Sequence, residues 1–187
     1  MKMDHKWRVF GIVAVGIFIA TLDGSIVNIA NPSIAEDFGI SIDQVEWVVT
    51  TYLLAITATL IFLGRLGDKI GSHKIYTFGF LIFSLGSLAC SQAGTLALLV
   101  SARLLQGLGA SMMMATGIGI VSNTFPPEER GKALGLTGTA VAMGNMVGPG
   151  LGGILLSQFS WPAIFLGNVP IGLAGFYLGR RYLPAQE

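Results

Sequence analysis

Long apolar stretches alternate with short polar segments along the whole chain. Each stretch is close to the roughly 20 residues that a helix needs to cross the hydrocarbon core of a bilayer. None shows the alternation of apolar and polar positions that a barrel strand requires. The runs lie at about 9–31, 47–63, 75–91, 96–121, 133–156 and 163–178. The pattern predicts an all-α polytopic membrane protein, with six transmembrane helices in a single domain over residues 1–187.

The basic residues between the runs predict how the helices are oriented. If the N-terminus is cytoplasmic, ten of the 11 Lys and Arg residues lie in cytoplasmic segments, and the opposite segments carry four acids and no basic residue. The ten are Lys2, Lys6, Arg8, Arg65, Lys69, Lys74, Arg130, Lys132, Arg180 and Arg181. Because Lys and Arg accumulate in cytoplasmic loops, we expect a multi-pass protein of the cell membrane with both termini in the cytoplasm.

Composition excludes several other functions. Hydrophobic residues make up 52% of the chain and charged residues 11%, whereas soluble domains carry about 25% charged residues. The net charge of +1 leaves no basic surface for nucleic acid. A single cysteine, Cys90, and two histidines outside the apolar runs, His5 and His73, argue against a metal centre. We therefore expect neither an enzyme nor a bound cofactor, and the lipid bilayer as the surrounding partner.

Asp23 and Arg103 are the charged residues that interrupt the apolar runs. A charge in mid-bilayer costs at least ~2.5–3.5 kcal/mol and normally faces a partner or a cavity. At 1.5 Å per residue, Asp23 lies ~21 Å and Arg103 ~18 Å from the cytoplasmic side of a core ~30 Å thick. The matching depths predict an ion pair, either a structural salt bridge or a site at which Asp23 takes and releases a proton. Asn28 and Gln106 lie near the same faces and are candidate cavity groups.

A glycine stripe marks the fifth run. Gly144, Gly148 and Gly152 fall four residues apart and share one helix face, with Pro149 and Gly153 beside it. Such a face allows another helix to approach closely within a membrane, and Pro149 should bend the helix. By itself, the stripe predicts close helix packing.

The segment Gly64–Lys74 places three glycines among alternating charges between the second and third runs. Its spacing fits neither the P-loop nor the dinucleotide fingerprint. We expect a tight cytoplasmic turn, in which Asp68 caps the following helix or pairs with Arg65 or Lys69. The glycine–serine motif of intramembrane serine proteases and the filter sequence of potassium channels are both absent from the chain.

Four segments, taken in chain order, resemble motifs of the major facilitator superfamily, specifically of drug:proton antiporters of the fourteen-span type. They are Leu22–Pro32, Gly64–Lys74, Arg103–Gly109 and Gly144–Gly153. Asn31 stands where that group usually has leucine, and Ser72 where a basic residue is common. The resemblance covers nearly the whole chain.

The resemblance implies one half of a major facilitator fold, built as two inverted three-helix repeats in which the first and fourth helices are equivalent. It implies that Asp23 and Arg103 are a proton-linked pair lining a cavity, and that a proton gradient drives transport. The glycine–proline helix would form a gating interface with the other half. The loop would close the cytoplasmic face; its residues are Gly64, Arg65, Asp68, Lys69 and Gly71. Substrates of the group are small hydrophobic or cationic compounds.

Transporters of this kind contain two six-span halves, and the motifs here belong to the first. We therefore expect efflux by proton-coupled antiport and alternating access, with this chain supplying the N-terminal half. It would work beside a second six-span half or a copy of itself. The alternative is a truncated or accessory membrane protein without transport activity of its own, and a truncated product or an incomplete gene is the explanation we favour for the missing half.

Overall fold

The computed structural model describes residues 2–183, and the side chains of residues 5–183. Within that range every regular element is an α-helix. The helices are α1 (Lys2–Phe38), α2 (Ile42–Ile70), α3 (Ser72–Ser91), α4 (Leu96–Thr124), α5 (Pro127–Gln158), α6 (Pro162–Leu166) and α7 (Asn168–Tyr182). The first five and the combined α6–α7 segment are long and apolar enough to cross a membrane. The predicted all-α architecture with six membrane-length helices is therefore confirmed.

Local signals set where several helices begin. At the start of α2, the Ser41 hydroxyl accepts a hydrogen bond from the Gln44 backbone N–H at 3.3 Å, and the Gln44 side chain accepts from the Ser41 N–H at 3.1 Å. This reciprocal capping box satisfies two N–H groups that the helix itself leaves free. At the start of α4, the Thr95 hydroxyl accepts a hydrogen bond from the Leu98 backbone N–H at 3.3 Å, without a reciprocal bond. Pro127 opens α5, where its missing N–H costs nothing.

The predicted turn at Gly64–Lys74 is mostly helical, and this expectation was wrong. Residues 64–70 are the last turns of α2, and α3 begins at Ser72. Only Gly71 leaves the helical conformation, with a φ of 106° that favours glycine. Asp68 does not cap α3, whose first turn has no side-chain cap, and it forms no salt bridge among the described residues.

Helix pairing follows the predicted repeat. The contacts of α1 are most extensive with α5, and α4 packs on α2 and α3, while α7 packs on α3 and α1. The pairs stay the same when α1 is exchanged with α4, α2 with α5, and α3 with the combined α6–α7 segment. For example, the α1–α5 contact becomes the α4–α2 contact. The arrangement agrees with two inverted three-helix repeats.

Two large apolar clusters lie one after the other along the helices, and a third, small one contains Leu63, Ile75 and Met112. One of the large clusters contains Val9–Ala20 side chains of α1 together with Tyr76, Phe80 and Phe83 of α3. The other contains Ile26–Ala35 side chains of α1 together with Leu99 of α4. Asp23 of α1 belongs to neither cluster. The chain therefore places a polar layer between two apolar ones.

The glycine stripe of α5 packs against α1 of the same chain. A Cβ on Gly144 would lie 2.9 Å from the Phe18 carbonyl oxygen, and one on Gly148 would lie 3.1 Å from the Ile26 nitrogen. The Ser25 hydroxyl donates to the Gly144 carbonyl at 3.1 Å across this contact. The predicted close packing is present, but its partner is α1, so the stripe itself is not available to another half. The helix continues through Pro149, which is exposed, as is Gly153.

Replacing Gly148 by leucine should therefore weaken the bundle. The added side chain meets the backbone of α1, which cannot shift cheaply, and overpacking of this kind costs about 1–3 kcal/mol or more. Thermal unfolding in one detergent should show a lower melting temperature for Gly148→Leu than for the wild type. Gly150→Leu is the matched control, because a Cβ there has no atom within 4 Å. Equal melting temperatures for the two variants would contradict this packing.

Candidate functional site

The Asp23 carboxylate lies in the polar layer and is completely buried. It forms an ion pair with Arg103 through its Oδ2 atom. Its Oδ1 atom accepts hydrogen bonds from Gln106 Nε2 at 2.9 Å and from Asn168 Nδ2 at 2.8 Å. Three donors from α4 and α7 therefore converge on one carboxylate of α1.

The Arg103 guanidinium is equally buried and is held on several sides. Its Nε donates to the Val48 carbonyl of α2 at 2.9 Å, and its Nη1 donates to Gln106 Oε1 at 2.6 Å as well as to Asp23. The guanidinium carbon lies 4.1 Å from the centroid of the Tyr52 ring, a cation–π contact. Its Nη2 is buried and has no hydrogen-bond partner among the described residues. Two N–H groups of the cation are thus unpaired within the part of the bundle that the structure describes.

Gln106 connects the ion pair to α3. It follows Arg103 by three residues, so both side chains lie on one face of α4. Besides its contacts with Asp23 and Arg103, its Nε2 donates to Ser87 Oγ at 2.7 Å, and its Oε1 accepts a weak bond from Cys90 Sγ at 3.6 Å. Both ends of the amide are satisfied, and this fixes its orientation.

Glycines allow the helices to come close enough for these bonds. A Cβ on Gly86 of α3 would lie 2.5 Å from the backbone nitrogen of Gln106. A Cβ on Gly107 of α4 would lie 2.8 Å from the Tyr52 carbonyl oxygen. Backbone contact at these two positions sets the spacing of α2, α3 and α4 around the network.

The structure brings together only part of the predicted site. Asp23, Arg103 and Gln106 meet, whereas Asn28 is exposed and bonds to the Gly24 carbonyl of its own helix at 3.1 Å. The residues of the predicted gating loop lie at the far end of α2, where the charged ones are exposed; they are Arg65, Asp68 and Lys69. The glycine helix contributes no side chain to the network.

Asn168 is a member of the site that sequence reasoning missed. It is the first residue of α7, directly after Gly167, where the sixth membrane segment is interrupted. The signal was present, because Asn168 is the one amide side chain in the run 163–178. Tyr52 and Ser87 were also missed, since a tyrosine or serine in an apolar run has no distinctive pattern.

The fold and the network together define the class, a multi-pass helical membrane protein built as inverted repeats, as secondary transporters are. Residues 13–187 match the profile of the Major Facilitator Superfamily, and the chain belongs to this family. It is accordingly a member of a transporter family and not of an enzyme family.

Several curated proteins are similar to this chain. The riboflavin transporter RibZ of Clostridioides difficile (strain 630) is 55% identical over 97% of this chain and 40% of that protein. The methylenomycin A resistance protein of Streptomyces coelicolor is 38% identical over 94% of this chain and 37% of its own length. The putative multidrug resistance protein MdtD of Salmonella paratyphi B is 40% identical over 92% of this chain and 36% of its own length. The chain thus spans about two fifths of the length of these relatives.

Removing only the cation should destabilise the bundle strongly. Arg103→Met leaves the Asp23 carboxylate buried without its counter-ion, a change that typically costs about 3–5 kcal/mol. Adding Asp23→Asn to this variant removes the buried charge and keeps an oxygen to accept from Gln106 and Asn168. The double variant should therefore unfold at a higher temperature than Arg103→Met in the same detergent. If the double variant instead unfolds at a lower temperature than Arg103→Met, by the amount that Asp23→Asn alone lowers it, the two side chains are not coupled as described.

Proposed function

We propose that the chain is the N-terminal half of a proton-coupled transporter of small organic molecules and that Asp23 is its protonation site. The observation that carries this proposal is the fully buried Asp23–Arg103 pair, in which Asp23 also accepts hydrogen bonds from amide donors of α4 and α7. Ionisable side chains inside a membrane bundle are costly and commonly mark proton or substrate pathways. Membership of the family supports transport itself.

Protonation would weaken the link between α1 and α4. A proton on the Asp23 oxygen that faces Arg103 places an O–H opposite an N–H, so the ion pair and its charge-assisted bond are lost. Arg103 keeps its bonds to the Val48 carbonyl and Gln106 and its contact with Tyr52. The guanidinium would stay with α2 and α4, while Asp23 of α1 would keep only the uncharged amide bonds from Gln106 and Asn168. One proton would in this way change which helices move together.

Alternating access follows from the burial of the site. Asp23 has no exposed surface, so proton exchange requires α1 to separate from its neighbours. Entry of a proton from outside would release α1 and the substrate, and loss of the proton to the cytoplasm would restore the pair. This is antiport, in which an inward proton gradient drives export.

The exposed faces of α2 and α5 are where we place the second six-helix half. Their most apolar windows are only 28% and 17% buried, the lowest of the six segments. Large apolar side chains cover these faces, including Leu53, Leu54 and Met146. Exposed charges at the end of α2, such as Asp68, would contact that half on the cytoplasmic side. Both termini would lie in the cytoplasm, with the protein in the cell membrane.

The Asp23 assignment can be tested in proteoliposomes with an imposed pH gradient. The chain should be reconstituted alone and together with the part of the riboflavin transporter relative that lies outside the match. Gradient-driven transport should be lost in Asp23→Asn, while Asp43→Asn, which neutralises an exposed carboxylate of α2, should transport like the wild type. Normal transport by Asp23→Asn would refute the assignment. Transport only with the added segment would show that the chain needs a second half, and none in either case would favour an accessory role.

A second observation bears on the substrate. Identity is 55% with a protein named as a riboflavin transporter but 38–40% with those named for antibiotic or multidrug resistance. We propose riboflavin, or a similarly flat heteroaromatic molecule, as the first substrate to test. In the same proteoliposomes, riboflavin should move faster than the cationic dye ethidium at equal concentration. The reverse order would favour the hydrophobic and cationic substrates implied by the antiporter motifs.

A further inference from the structure

An open groove runs along the outside of the bundle between α1 and α7. Its floor is the Phe80 ring of α3, and its walls include Ile12 and Val15 of α1 and Ile171 and Leu178 of α7. The volume of the groove is about 670 Å³. Except at one end the lining is apolar, so this α1–α7 groove is a site for hydrocarbon.

Small residues give the groove its depth. A Cβ on Gly11 would have no atom within 4 Å, so the groove is open where that side chain would lie. Gly175 lies directly on the Phe80 ring, where a Cβ would come within 2.6 Å of the ring carbons. From Pro170 to Tyr182 the groove follows 13 residues of α7, a length of ~18 Å at a rise of 1.5 Å per residue. This is close to the ~15 Å of hydrocarbon in one leaflet.

The end of the groove is basic. Arg8 and Arg181 are exposed and lie over the same Tyr182 ring, with their guanidinium carbons 5.9 and 5.5 Å from its centroid. Neither forms a salt bridge with any residue whose side chain the structure describes. Among the described side chains, two cations without an acidic partner therefore lie at one end of the groove: Arg8 lines that end, and Arg181 lies beside it over Tyr182. The predicted orientation places this end on the cytoplasmic side.

We propose that the α1–α7 groove binds an anionic phospholipid of the cytoplasmic leaflet. One acyl chain lies over Phe80, and the phosphate is bound by Arg8 and Arg181. Arginine matches the geometry of phosphate through paired N–H bonds, and basic pockets at helix ends select anionic head groups. An apolar partner helix in the groove would bury the two guanidinium groups without a counter-ion. An anionic lipid fills the same groove and supplies the counter-ion through its phosphate. The proposal does not depend on which substrate is transported or on proton coupling.

Native mass spectrometry of the purified chain tests the proposal, with phosphatidylglycerol and phosphatidylcholine added separately. The wild type should retain one phosphatidylglycerol in clear preference to phosphatidylcholine. Each arginine near a membrane surface contributes about 1 kcal/mol, or roughly five-fold in affinity. Arg8→Gln and Arg181→Gln should each weaken binding by about that factor. Gly11→Leu should weaken it too, because the leucine fills the groove without meeting another atom.

Two matched controls distinguish a built site from general attraction. Lys132→Gln removes one positive charge from the same end of the bundle but outside the groove, and Gly119→Leu adds a side chain to another glycine with no atom near its Cβ. Both should bind phosphatidylglycerol like the wild type. The proposal is overturned if Lys132→Gln weakens binding as much as Arg8→Gln does. Equal binding of the two lipids, or unchanged binding by the Arg8→Gln/Arg181→Gln variant, also overturns it.

Discussion

A carboxylate and a guanidinium must be kept together at the centre of a bundle from which water is excluded. Either charge alone would cost at least ~2.5–3.5 kcal/mol at mid-membrane, and even a pair repays its desolvation only when the remaining donors and acceptors are satisfied. Gln106, Asn168 and the Val48 carbonyl supply most of those bonds and leave Arg103 Nη2 without one among the described residues. The positions of α1, α2, α4 and α7 relative to one another are therefore set by one ion pair.

Glycine makes that geometry possible. Helix backbones approach each other at Gly86 and Gly107 beside the network, and at Gly144 and Gly148 where α5 meets α1. Lipid provides no hydrophobic force between helices, so close van der Waals contact and buried polar bonds must hold the bundle. Tyr76 adds to this by donating to the Val13 carbonyl of α1 at 2.8 Å. Helix α1 is thus held by packing along its length, by the buried ion pair at Asp23 and by the Lys6–Glu129 salt bridge with α5.

This division would let a stable bundle move as proposed above. The apolar clusters above and below Asp23 keep each half of α1 in contact with its neighbours. In the proposed function, the polar layer between them is where a proton would change the interaction without changing the packing volume. In the proposals above, the exposed faces of α2 and α5 contact a second half, and the groove beside α7 binds lipid. Different faces of one bundle would then serve different partners.

Hydropathy and the position of charges along the chain were enough to predict six membrane-length helices, and they singled out Asp23, Arg103 and Gln106. These are properties of the linear sequence, because span length and the cost of an intramembrane charge do not depend on neighbours. Tertiary structure decided the rest. It brought Asn168 to Asp23, left Asn28 exposed, kept residues 64–70 helical and placed the glycine stripe against α1. Those outcomes depend on how each helix is rotated and which helix it packs against, and the periodicity of a single segment does not specify either.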